Sequence, residues 1–308
     1  MVPDAEPRSY YGRPIVKPPV WKARNIAGYF TLGGIAAGSS LLAAGGDLTG
    51  RAELRRACRL VSVVALSGSV AALIDDLGRP SRFLNMLRVF RPTSPMSVGS
   101  WLLALYGPLA GAAALSEITP ACRTPRHGGT GADAIRTAGS VAGVCAALLA
   151  PGVATYTAVI LADTAVPAWN GSRRELPFVF AGSAASSAGG AAVLLVPPED
   201  AAPARLFAVL GTMVELVAEA RMEARLGTTR EAVSQGRAGA FVRAGRVLAG
   251  AGALCAGAGG RRSRTSAILG GVALVLGSAC TRFGIFYAGV ASAEDPRFTI
   301  ATQRGEKS

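Results

Sequence analysis

Several ionised groups stand where a hydrocarbon-rich chain has least use for them. Glu215 and Glu219 sit in "LGTMVELVAEA", Arg282 sits in "SACTRFGIF", and Asp75 with Asp76 closes "VAALIDD". An acid or arginine at mid-bilayer costs about 2.5–3.5 kcal/mol on insertion scales, so such residues persist when they pair, face water or serve a reaction. The reaction open to carboxylates of this kind is proton uptake and release, provided burial raises their pKa values. Glu215 and Glu219 are four apart, which puts them on one helical face. The plainer reading of any single residue is a helix-end charge reaching the headgroups. For Asp76 it is a capped turn and an ion pair with Arg79.

Other chemistries find no residues to carry them. The only histidine is His127, in the hydrophilic "TPRHGGTG", whereas an intramembrane bis-histidine haem needs facing His pairs. The five cysteines (Cys58, Cys122, Cys145, Cys255, Cys280) form no C-x-x-C pair, so neither an Fe–S cluster nor another metal site is encoded. No Walker loop, nucleotide fingerprint or Ser–His–Asp set occurs.

The elements that must position these residues are apolar runs. Hydrophobic residues make up 50% of the chain and charged residues 17%, against roughly 25% charged in soluble domains. Runs of about 20 residues alternate with short Arg- or Pro-rich connectors, the length a hydrocarbon slab of about 30 Å requires. The reading is an all-α integral membrane protein with eight spans, near 26–46, 57–74, 98–115, 139–162, 176–196, 204–222, 240–259 and 266–291. A polar segment, 1–25, precedes this domain and a polar tail, 292–308, follows it. The first run starts after about 25 polar residues and leads to no clear cleavage site, so it reads as a span and not a signal peptide. The 39 glycines suit helices packed backbone to backbone. A net charge of +13 is spread over short loops beside apolar runs. Its partner is therefore the anionic bilayer or an acidic protein face, with no nucleic acid.

An even number of spans puts both termini on one side. The loops of that side hold more Lys and Arg than the opposite loops, which predicts both termini in the cytoplasm, with the protein multi-pass in the cell membrane. Parity also places Asn25, Tyr29, Asp75, Asp76, Glu215, Glu219 and Arg282 in the half of the bilayer nearest the termini. That clustering predicts a shared polar cavity there. The opposite half reads as nearly bare, with edge charges such as Arg59 and Glu117. Trp21, Trp101 and Trp169 read as a terminal-side aromatic belt.

Four stretches then carry a resemblance: "YYGRPIVKPPVWKARNIAGYFTLGGIAAGSSLL", "DDLGRPSRFLNMLRVFRPTSPMSVGSW", "YTAVILADTAVPAWNGSRRELPFVFAGSAASSAGG" and "TRFGIFYAGVASAEDPRFT". In order along the chain they resemble the NrfD/PsrC family of polysulfide- and nitrite-reductase-type membrane subunits. The resemblance implies helices bundled in the manner of that family and a quinone-reactive electron-transfer subunit with no catalytic activity alone. It implies exchange of electrons between menaquinone, or another quinone, and a ferredoxin-like partner with several [4Fe–4S] clusters, which serves a molybdopterin-type catalytic subunit.

In the polysulfide-reductase branch an Asn and a His near the start of the first helix and a Tyr in the fourth hold the quinone ring. Here the His position aligns with Tyr29 and the Asn position with Ile26 or, one residue off, Asn25. The Tyr position falls near Ala150, with Tyr156 further along. The quinone candidates are thus Asn25, Tyr29 and Tyr156, and the proton-handling candidates are Asp76, Glu215 and Glu219. Asp75, Arg79, Arg82 and Arg282 form charge partners and a docking rim. Two other functions stay open: a proton-translocating subunit of a respiratory complex, and a structural membrane anchor.

Overall fold

In a computed structural model, described over residues 14–77, 79–119, 130–261 and 263–304, eight long helices make up most of the described residues, with short helical turns between and after them. They are α1 (Ala23–Leu48), α2 (Ala52–Asp76), α3 (Pro95–Ile118), α4 (Thr130–Ala162), α5 (Leu176–Leu195), α6 (Ala202–Arg225), α7 (Gly236–Gly257) and α8 (Arg264–Glu294). No strand occurs among the described residues. Six of the eight are long and apolar enough to cross a membrane; α6 and α7 carry the extra charges that set them apart. Most of the helices overrun the expected spans at one or both ends, α4 beginning at Thr130 and not near 139, while α5 and α7 stop one and two residues short of theirs. Apolar runs mark only the stretch in hydrocarbon, whereas hydrogen bonding carries a helix on into the headgroup layer.

The helices pair in sequence as hairpins and close into two four-helix bundles, α1–α4 and α5–α8. Helix α1 joins them, packing on α2 and α4 in its own bundle and on α5 and α8 across the seam. Accordingly, 83% of its most apolar window is buried, against 28% for α3, whose outer face is left for lipid. Backbones meet directly at the α5–α6 contact. A Cβ placed at Gly182 would lie 2.5 Å from the Glu215 amide nitrogen, and one at Gly211 would lie 2.6 Å from that of Ser186. Only glycine permits that approach, the small-residue packing that replaces hydrophobic drive inside a membrane.

Between α2 and α3 a 3₁₀ helix spans Pro80–Leu87. The Pro-rich "PTSPMS", expected as a stiff connector, also starts α3. Ser94 caps it by accepting from the Ser97 amide, and Pro95 occupies the first turn, where its missing N–H costs nothing. Trp169 leaves the expected belt. It is 1% exposed, stacks on Trp21 at 6.0 Å and donates Nε1 to the Ile285 carbonyl at 2.8 Å. The short helix Pro167–Gly171 tucks it into the seam between bundles.

Candidate functional site

A cavity of about 470 Å³ opens at the terminal end of the first bundle. Its walls are Trp21, Ile26, Tyr29 and Phe30 of α1 and the segment before it, Leu73 and Asp76 of α2, Met96 and Ser100 of α3, and Tyr156 and Ile160 of α4. Met86, from the 3₁₀ helix, covers one side. Tyr29 and Tyr156 meet edge to face with ring centroids 6.3 Å apart. Helix periodicity explains the convergence: residues 26, 29 and 30 share one face of α1, as 156 and 160 share one face of α4. The result is a flat-walled apolar slot with Asp76 and Ser100 as its polar edge.

Asp76 accepts a hydrogen bond from the Lys22 amide at 3.1 Å, which fastens the end of α2 to the start of α1. Asp75 beside it accepts from Asn25 Nδ2 at 2.5 Å and lies 3.7 and 3.8 Å from the Lys22 and Arg24 side chains. The Asn25 amide is therefore engaged with Asp75 and Arg24, and Asn25 is absent from the cavity wall. The expected pairing of Asp75 and Asp76 with Arg79 is replaced by these α1 contacts. Arg79 is exposed and makes no ion pair with either acid among the described residues. The Arg82 side chain lies outside the described residues.

Glu215, Glu219 and Arg282 form a separate cluster in the second bundle, all at most 1% exposed. The expected shared cavity is thus two sites, because α1 and the Phe30–Phe180 contact, 5.8 Å between centroids, stand between them. Arg282 donates to the Phe180 carbonyl at 3.1 Å and lies over the Phe180 ring at 4.5 Å. Gly34 makes room for it: a Cβ there would be 2.6 Å from Arg282 Nη2. The polar neighbours of Glu215 are Thr281, Ser183 and the Arg282 charge. Glu219 accepts from Arg246 Nε at 2.8 Å, and Arg246 also binds Glu223. Residues 215, 219 and 223 therefore make an acidic ladder along one face of α6, running toward the terminal end. The first two were legible from spacing, and the same i+4 step points to Glu223.

The opposite half of the first bundle is not bare. Arg59, 4% exposed, pairs with Asp47 at 2.9 Å and with Glu117 at 2.8 Å. Arg55 joins both acids at 3.3 and 2.7 Å. Gly143 of α4 lets the Arg59 guanidinium in, since a Cβ there would be 3.0 Å from Nη2. Toward mid-bundle, Ser40, Ser62 and Tyr106 form a buried hydroxyl triad with contacts of 2.8–2.9 Å, and Tyr106 completes a further bond to the Ala36 carbonyl at 2.8 Å. Nearer the cavity, Ser69 donates to the Tyr29 carbonyl at 3.0 Å. No sequence motif announced this row, although Arg55, Arg59, Ser62 and Ser69 recur at helical spacing on α2.

Comparison with known families adds one finding. The family described as polysulphide reductase, NrfD matches residues 16–199, more than half of the chain and all of α1–α5. No curated protein matches.

Proposed function

From a chain that belongs to the NrfD polysulphide reductase family, we propose a quinone-reactive membrane subunit of a multi-subunit oxidoreductase. The observation that supports it most directly is the slot lined by Tyr29 and Tyr156, with apolar walls, a carboxylate at its edge and an opening at the membrane end. A quinone ring fits that chemistry. Flat aromatic and aliphatic walls take its faces, Tyr29, Tyr156 and Ser100 bring hydroxyl-bearing side chains to those walls, the Ser100 hydroxyl donating to the Met96 carbonyl and left to accept, and Asp76 stands at the wet edge. When bound, the quinone supplies two-electron, two-proton chemistry. The chain's own part is to hold the ring and to move protons. Asp76, held by the Lys22 amide, is placed to exchange them between the slot and the membrane surface. Asn25, Asp75, Lys22 and Arg24 fix the start of α1 against the end of α2 and shape the slot's mouth.

The electron partner in this reading is a separate protein. We assign it to a ferredoxin-like subunit with several [4Fe–4S] clusters, docked on the terminal face and leading to a molybdopterin-type catalytic subunit. Charge counting puts that face in the cytoplasm. The test is purification of the tagged protein in mild detergent with mass spectrometry of proteins and quinone together. Co-purification of a cysteine-rich Fe–S protein with menaquinone is the expected result. Recovery of the chain alone, quinone-free in several detergents, would sink the proposal.

One observation favours a second reading, proton translocation. The Ser69, Ser62–Ser40–Tyr106 and Arg59–Glu117–Asp47 groups fill the half of the first bundle beyond the slot with polar contacts. In proteoliposomes, Tyr106→Phe would then lower the protons moved per quinol without lowering quinol turnover. Equal ratios for the two proteins would count against it.

A further inference from the structure

On the outside of the second bundle, a groove of about 630 Å³ runs between the start of α5 and the last turns of α6. Its floor is Phe178, Met213, Val214 and Val217, all 45–62% exposed. Its terminal rim is Arg174, Arg221 and Arg225. Arg225 is committed to Glu175 at 2.6 Å. Arg174 and Arg221 are exposed and make no ion pair or hydrogen bond among the described residues.

On α6 the residues 213, 217, 221 and 225 follow at every fourth position, so floor and rim lie on one face. From Arg221 down to Met213 that face is about 12 Å long at 1.5 Å per residue. Apolar side chains therefore line the hydrocarbon depth, and two uncommitted guanidinium groups stand at headgroup depth. Lipid-facing residues elsewhere, such as Leu148 and Leu254, are in neither of the two large grooves of the second bundle's terminal end.

We infer that this groove binds one anionic phospholipid, its acyl chains on Phe178, Met213, Val214 and Val217 and its phosphate between Arg174 and Arg221. Guanidinium groups bind phosphate oxygens in a bidentate manner, and basic pockets between transmembrane helices suit such headgroups. An acidic protein surface would satisfy the arginines but would leave the apolar floor uncovered. A quinone would fit the floor but would make no use of two cations.

The purified complex, washed in mild detergent, would be compared by native mass spectrometry with the Arg174→Gln/Arg221→Gln double variant. The wild type is expected to retain one phosphatidylglycerol or cardiolipin molecule. The double variant is expected to retain it about 30-fold more weakly, the effect of two interfacial arginines. The Arg174→Lys/Arg221→Lys variant and the distant Arg136→Gln variant should bind more nearly as the wild type does. Equal retention in the glutamine variant, no preference over phosphatidylcholine, or quinone in place of lipid would each overturn the inference. Should the glutamine variant fail to fold, Phe178→Trp decides in its place. In nanodiscs its added fluorescence should be quenched more by brominated phosphatidylglycerol than by brominated phosphatidylcholine, and equal quenching would refute the site.

Discussion

At the scale of single residues, variants of Asp76 and Tyr156 test proton handling and binding separately. Asp76→Asn keeps the hydrogen bond from Lys22 but cannot carry a proton. Quinol-linked turnover is expected to fall about 100-fold with bound quinone unchanged, the size typical of a lost acid–base group. An unaltered rate and pH profile would remove Asp76 from the mechanism. If the Tyr156 hydroxyl binds quinol as proposed, Tyr156→Phe removes one hydrogen bond and keeps the wall, so the KM for quinol should rise about fivefold, the worth of roughly 1 kcal/mol. Arg282 makes a different point. It is fully buried, held by Phe180 and by the space at Gly34. Gly34→Leu should displace it and destabilise the seam between bundles by about 1–3 kcal/mol of overpacking, read as a lower thermal midpoint in detergent. Placing Glu215, Glu219 and Arg282 inside the membrane needed only the hydropathy around them. Their separation from the Asp76 slot depended on which faces of α1, α5 and α8 meet, and hydropathy carries no such information.

At the scale of helices, small residues set the spacing. The α5–α6 contact rests on Gly182 and Gly211, where a Cβ would lie within 2.6 Å of the facing backbone. Gly211→Leu should separate the pair and carry the Glu215–Glu219–Glu223 ladder away from Arg246. The expected readout is a large fall in thermal midpoint together with loss of the purified monodisperse peak. An unchanged profile would mean that the helices are held by contacts elsewhere. The glycine content of the chain announced close packing, but it did not say which glycines face one another. The connection from α2 to α3 shows a related limit. Its prolines were legible as rigid, whereas the use of Pro95 in the first turn of α3, behind the Ser94 cap, is a matter of register.

At the scale of the whole molecule, the first bundle is closed at its far end by the Asp47–Arg55–Arg59–Glu117 cluster. Glu117→Gln leaves the buried Arg59 with less counter-charge. Arg59 keeps Asp47, so the cost is about 1.5–3 kcal/mol, that of a lost hydrogen bond to a charged group, and a lower unfolding midpoint is expected. Arg59→Met with Asp47→Asn and Glu117→Gln together should cost less than Glu117→Gln alone. If the single variant were as stable as the wild type, the cluster would be a surface feature only.

That the chain lives in a membrane, that its helices number about eight and alternate in direction, and that its family is that of NrfD were all legible in the sequence. It also marked most of the polar residues worth attention. All of these follow from composition, run length and local motif, which are properties of short stretches. Helix packing is what puts Trp169 in the core and not in the belt, ties Asn25 to Asp75 outside the slot wall, and divides the polar groups into two terminal-side sites plus a buried cluster opposite. Those outcomes depend on the rotation of each helix about its axis. In lipid that rotation is set by which small residues and which charge pairs can meet across chain distances of tens to more than a hundred residues, and no local pattern encodes it.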